Sequence, residues 1–275
     1  MALIGVTGAT GAVGGLIARD LAERGVAQRL LVRDPGRAPD LPGAEPRTCD
    51  YATPDAAALQ GVSTLLMVSA GESADRVAAH RALVGAAAEA GVRHVVYTSF
   101  VGASPTSTFT LARDHHATER AIDEAGLART FLRDNFYLDL LPHFVGDDDV
   151  LRGPAGDGRV AAVARADVAR AAVVALLDPA AHAGAIYDLT GPEALTLDEV
   201  AARVASATGR PVRFHDETDE EAYASRRRWE APQWQYDAWV STYTAIRAGE
   251  LAAVSDDVRR VTGREPLSLA DVLAG

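Results

Sequence analysis

The stretch Val6–Gly15, VTGATGAVGG, decides how the first half of this chain is read. It sets Gly8, Gly11 and Gly14 in a G-x-x-G-x-x-G spacing, between the apolar run ALIGVT (2–7) and the segment AVGGLIARDLAERG (12–25). The run is short, apolar and ended by glycine, which reads as a buried strand. The segment after it reads as a helix closed by Gly25. A strand, a glycine turn and a helix in that order suit a phosphate. Gly8 permits a tight turn, Gly11 lets the backbone approach a pyrophosphate, and Gly14 permits close packing of helix on strand. The helix N-terminus adds free N–H groups and a positive partial charge. The bland alternative is a plain glycine-rich turn.

Working outward, the same alternation recurs. QRLLVR (28–33), a short run near 46–49, STLLMVS (63–69), RHVVYTSF (93–100) and ARTFLR (128–133) read as strands. Helices are expected over 53–61, with Thr53 as N-cap and Pro54 at the first helical position, over 74–91, and over roughly 111–125. This pattern predicts a doubly wound, Rossmann-like parallel α/β sheet. Ligands of such sheets sit at the carboxyl ends of the strands. The loops after Thr7, Arg33, Ser69, Ser99 and Arg133 are therefore expected to face one crevice. Beyond residue 134 the rhythm loosens. A helix near 167–178, a strand at 185–190, a capping box from Thr196 to Glu199 opening a helix to about 208, and one or two helices over 219–251 follow. Residues 1–134 plus parts of 155–190 are expected to form a dinucleotide-binding domain. Roughly 135–154 and 191–275 are expected to form a smaller C-terminal substrate lobe.

Composition narrows the function classes. The 38 acidic and 27 basic residues leave a net charge of −11, and no dense basic block neutralises a nucleic-acid backbone. The triplet Arg226-Arg227-Arg228, flanked by Glu220, Glu221 and Glu230, reads as a solvated helix face. A single cysteine, Cys49, excludes an intrachain disulfide and a Cys-rich metal cage, and is expected as a small buried residue. No His/Asp/Glu set has metal-ligand spacing. No segment approaches the roughly 20 apolar residues of a membrane helix. The expectation is a cytoplasmic protein with neither nucleic acid, membrane nor metal as partner, and with a homodimer left open. All three tryptophans, Trp229, Trp234 and Trp239, fall within eleven positions. Such a helical aromatic cluster is ordinarily core; the alternative is a wall of a flat apolar pocket.

The end of the second strand reads an adenosine ribose. Arg33 suits a 2′-phosphate by bidentate pairing, whereas the neighbouring Asp34 keeps a 2′-hydroxyl open, so NADP(H) is favoured over NAD(H). Asp50 is placed to accept from the adenine amino group, or is a plain turn aspartate.

Together, TGATGAVGG, LVRDP (31–35), HVVYTS, HHATERAIDEAGLARTFLRDNFY and GDGRVAAVARADVARA resemble the NmrA-like, atypical short-chain dehydrogenase/reductase family, with the likeness strongest to its bacterial NAD(P)H:quinone oxidoreductases. It spans the chain to about residue 210 and weakens in the tryptophan-rich part. The resemblance implies that Gly8, Thr10, Gly11, Ala12 and Val13 hold the pyrophosphate and Arg33 the 2′-phosphate. It also implies that Ser69, Ala70, Tyr97, Thr98 and Ser99 line the ribose–nicotinamide path, with Asn135, Phe136 and Tyr137 beside the nicotinamide.

Typical short-chain dehydrogenases donate a proton from Tyr-x-x-x-Lys. With Glu119 as anchor, His115 falls in the lysine slot and Leu111 in the tyrosine slot. Leucine donates no proton, which argues against ordinary ketone chemistry. Reduction of a quinone gives an aromatic hydroquinone anion and needs little acid help; a nearby histidine or water suffices. His115 and Tyr137 are the candidate catalytic groups, against the neutral reading of a satisfied helical histidine. The expected function is hydride transfer from NAD(P)H to a quinone or similar small planar aromatic substrate, which includes polycyclic quinones of secondary metabolism. The alternative is a non-catalytic redox sensor that binds dinucleotide and a protein partner.

Overall fold

The computed structural model describes residues 3–275, so Ala2 of the first expected strand lies outside the described residues. The strands are β1 (Leu3–Thr7), β2 (Gln28–Val32), β3 (Ala44–Thr48), β4 (Val62–Met67), β5 (His94–Phe100), β6 (Ala128–Asp134), β7 (Val150–Gly153), β8 (Arg159–Val160), β9 (Ile186–Leu189), β10 (Leu195–Thr196) and β11 (Arg213–Asp216). The helices are α1 (Ala12–Glu23), α2 (Ala56–Leu59), α3 (Arg76–Glu89), α4 (Thr110–Glu124), α5 (Arg165–Leu177), α6 (Leu197–Thr208), α7 (Asp219–Arg226), α8 (Gln233–Arg247), α9 (Asp257–Thr262) and α10 (Leu269–Ala274). Two compact units emerge. One comprises the chain to Ser99, Asp114–Arg133 and Val168–Tyr187; the other Phe100–Arg113, Asp134–Asp167 and Asp188–Gly275.

The first unit is built on a seven-stranded sheet in the order β3-β2-β1-β4-β5-β6-β9, with parallel pairing from β3 through β5. This is the doubly wound, Rossmann-like α/β arrangement expected from the alternation. Strand order reverses between β1 and β4, the topological switch point at which such sheets bind ligands. Leu65 and Met67 of β4 and Val95 of β5 pack with Leu83, Val84 and Ala87 of α3, and Tyr97 and Phe131 close the cluster. Burying each large apolar side chain stabilises the unit by about 1.5–3 kcal/mol. Helix α2 begins later than Thr53 and Pro54 suggest. Asp55 is its N-cap and accepts from the Ala57 N–H, so the carboxylate two residues downstream displaces the expected threonine cap.

The second unit has its own apolar core, in which Phe100, Phe109, Leu151, Val200 and Ile246 are buried. Two short pairs, β7 with β11 and β8 with β10, stiffen it; neither has the run length that a sequence pattern reveals. The Thr196–Glu199 capping box forms as expected, and Thr218 with Glu221 builds a second one at the start of α7. Pro232 is the N-cap of α8 and separates it from α7.

Two expectations change here. Arg226 is not part of a solvated face: it is buried and donates to the buried Glu217 at 2.9 Å. The tryptophans are not core either. Trp229 is exposed and Trp234 and Trp239 are half-buried, with Trp229 and Tyr236 edge-on to Trp239. Among the described residues no helix is long and apolar enough to cross a membrane.

Candidate functional site

The glycine turn after β1 is shaped by contact, not by flexibility. Gly8 has φ +66°, a left-handed conformation that favours glycine, and a Cβ there would press on Val68 at 3.1 Å. A Cβ on Gly14 would fall 2.3 Å from the Gly8 carbonyl oxygen, so α1 lies directly on the end of β1. The N-cap of α1 is Gly11, in extended conformation, and no side chain caps it. Thr10, Gly11 and Ala12 are exposed, Gly8 is half-exposed, and Val13 and Gly14 are buried beneath them. The first-turn N–H groups therefore stand open to an external acceptor, and the cradle fits a pyrophosphate.

At the end of β2, Arg33 is exposed and has no ion-pair partner among the described residues. Asp34 is used locally: its carboxylate accepts from the Gly36 N–H at 2.9 Å and caps a short turn. Asp50 likewise accepts from the Ala52 N–H at 2.8 Å, the behaviour of a turn aspartate. Cys49 beside it is buried, and burial first, then the neighbouring acids, push its thiol up to about 11.

The loop after β4 lies across the switch point and is pinned atom by atom. The Val68 N–H donates to Thr7 Oγ1 and the Val68 carbonyl accepts from the Tyr51 hydroxyl. The Ser69 N–H donates to Thr98 Oγ1 at 2.8 Å. At Ala70 the N–H donates to His80 Nε2 at 2.9 Å while the carbonyl accepts from Arg76 Nε at 3.0 Å. Thr98 and Ser99 are buried; Ser99 Oγ donates to Glu119, which Arg133 grips with two nitrogens at 2.9 and 2.7 Å.

His115 is buried against this network. Its Nε2 lies 3.0 Å from Arg76 Nη2 and its Nδ1 3.0 Å from the Tyr97 hydroxyl. A guanidinium only donates, so Nε2 accepts and the ring proton sits on Nδ1, directed at Tyr97. Burial, and then the Arg76 charge, hold His115 well below the ordinary histidine range. His80 is neutral for the same reasons, lowered to about 3, and its Nδ1 bonds Thr118 Oγ1 at 2.8 Å. Leu111 is half-buried and packs on the apolar core of the second unit. Sequence reading missed Arg76, His80 and Thr118. The available signal was spacing: Arg76 and His80 are i,i+4 on α3, as are Asp114 and Thr118 on α4.

In the second unit, Asn135 is buried and committed to the backbone. Its Nδ2 donates to the Leu251 carbonyl, and its Oδ1 accepts from the Phe136 N–H. Phe136 packs with Phe100 and Phe109, ring centroids 5.2 and 5.5 Å away. The Tyr137 hydroxyl donates to Asp134 at 2.5 Å. Burial, followed by the Asp134 charge, raises it well above the ordinary tyrosine range, and the Arg165 guanidinium lies 5.1 Å from its ring centre.

Comparison with known proteins fits this geometry. The NmrA-like family model matches residues 1–226. Quinone oxidoreductase 2 of Escherichia coli is 32% identical over 98% of this chain and 96% of its own, and the NAD(P)H azoreductase of Xenophilus azovorans is 33% identical over the same shares. The crystal structure of the NADPH-dependent quinone oxidoreductase of Escherichia coli complexed with NADPH superimposes with a TM-score of 0.88, at 31% identity over 98% of each chain. With the glycine cradle at the switch point and a match over most of its length, this chain belongs to the NmrA-like family.

Proposed function

We propose that this protein passes hydride to a quinone or similar planar aromatic electrophile. It is an NAD(P)H-dependent oxidoreductase, with NADP(H) as its cofactor. The observation that carries the acceptor class is the state of His115. It is buried, neutral and bonded at both ring nitrogens, and Leu111 fills the tyrosine slot. A site with so little acid to offer suits an acceptor whose reduced form is a stabilised anion. Quinones, the acceptors in the name of one relative, are of that kind.

Bound at the cradle, the dinucleotide supplies a hydride from its nicotinamide. The N–H groups around Gly11 to Val13 bind its pyrophosphate, and Arg33 binds the 2′-phosphate. The Ser69–Ala70 backbone lies along the ribose path. In this reading Tyr97, Thr98, Ser99 and His115 support that path from inside, and Asn135 fixes Phe136 at the acceptor side. Tyr137 is the remaining proton source, its hydroxyl held on Asp134 until an acceptor competes for it.

The test is NADPH oxidation with menadione or 1,4-benzoquinone, corrected for the uncatalysed reaction. Saturable turnover is expected. Arg33→Ala is expected to raise KM for NADPH by about ten- to a hundredfold, as befits loss of charge-assisted hydrogen bonds, and to leave NADH unaffected. Tight NADPH binding with no turnover would favour the sensor instead.

A further inference from the structure

Helices α3 and α4 are joined by a set of buried polar contacts that no proton-donor role explains. Arg76 is 4% exposed, and its guanidinium donates to two acceptors, the Ala70 carbonyl at 3.0 Å and His115 Nε2 at 3.0 Å, while its Nη1 makes no hydrogen bond among the described residues and forms an ion pair with the Asp114 carboxylate 3.5 Å away. His80, one turn along, is fully buried and accepts from the Ala70 N–H. Both polar atoms of one loop residue are thus held from the same helix face. The far ends are tied as well. The His80 Nδ1–H donates to Thr118, which donates to the Asp114 carbonyl, and the His115 Nδ1–H donates to Tyr97.

A buried guanidinium costs desolvation and is retained only where its hydrogen bonds are well made. An apolar pair at 76 and 80 would fill the space at less cost to stability. What an apolar pair cannot do is fix the peptide planes on either side of Ala70.

We propose that Arg76 and His80 are positioning residues that clamp Ser69–Ala70 in the conformation the dinucleotide requires, with Arg76 also setting the ring tautomer of His115. The inference rests on the reading that the Ser69–Ala70 backbone lies along the cofactor. Each clamp bond preorganises the loop. Losing one lets the loop sample other conformations, and the binding-competent fraction divides the apparent affinity.

The experiment uses the full chain, isotope-labelled, with NADPH as the probe. In the wild-type protein the Ser69 and Ala70 amide resonances are expected to shift on adding NADPH. If they do not, the underlying reading of the loop fails. Arg76→Met and His80→Leu are expected to raise the NADPH dissociation constant about tenfold, with KM for the quinone unchanged. His80→Gln, whose side-chain oxygen still accepts from the Ala70 N–H, is expected to restore most of that loss. The ¹⁵N shifts of the His115 ring should report Nδ1–H in the wild type and a mixed tautomer in Arg76→Met. His94→Leu is the control for lost stability, since His94 is another buried histidine, whose Nε2 bonds Thr130, away from this loop. Responsive amides combined with unchanged NADPH affinity in both Arg76→Met and His80→Leu would overturn the clamp. So would an equal affinity loss in His94→Leu.

Discussion

In the first unit the buried Arg76 spreads its charge over a carbonyl, a neutral imidazole and a half-exposed carboxylate. In the second unit the buried Arg226 meets one buried carboxylate, Glu217, at 2.9 Å, and adds the Ala222 carbonyl and the Ser225 hydroxyl. The two arginines are about equally inaccessible, so burial alone does not distinguish them. The difference lies in what they hold. Arg226 ties β11's end to α7, a bond between structural elements. Arg76 holds a loop at the carboxyl ends of the sheet, where strand order reverses. A charge balanced locally by one acid serves stability at a fixed place. A charge shared between two neutral acceptors and a more distant, half-exposed carboxylate serves shape, and it makes the network depend on two histidines staying uncharged.

The sharpest way to break this comparison is Glu217→Ala. It strands Arg226 without its acid, and a loss of about 3–5 kcal/mol is expected in urea unfolding, with NADPH affinity unchanged in the folded protein. A loss under 1 kcal/mol would mean that the Ala222 and Ser225 bonds suffice. Next in size is Gly14→Ala in the first unit, where the new methyl meets the Gly8 carbonyl. Overpacking of this kind costs about 1–3 kcal/mol, and here NADPH binding should fall as well, because α1 must retreat from the cradle. Wild-type affinity in that variant would refute the close-packing account.

Acid should strike the first unit before the second. His80 and His115 both titrate below their ordinary range in the folded protein, so the unfolded chain binds more protons once pH falls under about 6.5. Stability is therefore complete above that pH and is lost as pH falls toward about 3, the folded value of His80. By pH 5.5 His80 should contribute about 1.4 kcal/mol of loss, which His80→Gln should remove, and His115 acts in the same direction. A flat stability profile between pH 7 and 5.5 would contradict the neutral network. The smallest effect is expected at Trp229, which is exposed, with the Arg228 guanidinium over its ring and Trp239 in a T-shaped contact. Trp229→Ala should change unfolding by less than about 0.5 kcal/mol, which makes any rise in quinone KM readable as a direct role at the acceptor.

Much of this was visible in the residues. The glycine spacing, the strand-helix alternation and the Thr196 capping box are local signals, because each depends on neighbours within a few positions. The glycine turn proposed to cradle the pyrophosphate came from them directly. Other features depended on partners far along the chain. Arg226 reads as one of three exposed arginines until Glu217 is brought against it. Ser99 and Asn135 look like site-lining polar residues, but their side chains bond Glu119 and the Leu251 carbonyl. Thr53 and Asp55 are both adequate caps within two positions, and the folded chain uses Asp55.

By itself, then, the sequence determined the parallel sheet, the glycine turn after β1 and the absence of a Tyr-x-x-x-Lys dyad. Periodicity, glycine geometry and residue identity are written in the chain without reference to distant contacts. Only the tertiary structure decided which buried polar groups meet beneath the loop after β4. Residues 70, 76, 80, 115 and 118 meet only when β4, α3 and α4 pack, and a proton's place on a histidine ring is fixed by the groups that pack against both nitrogens.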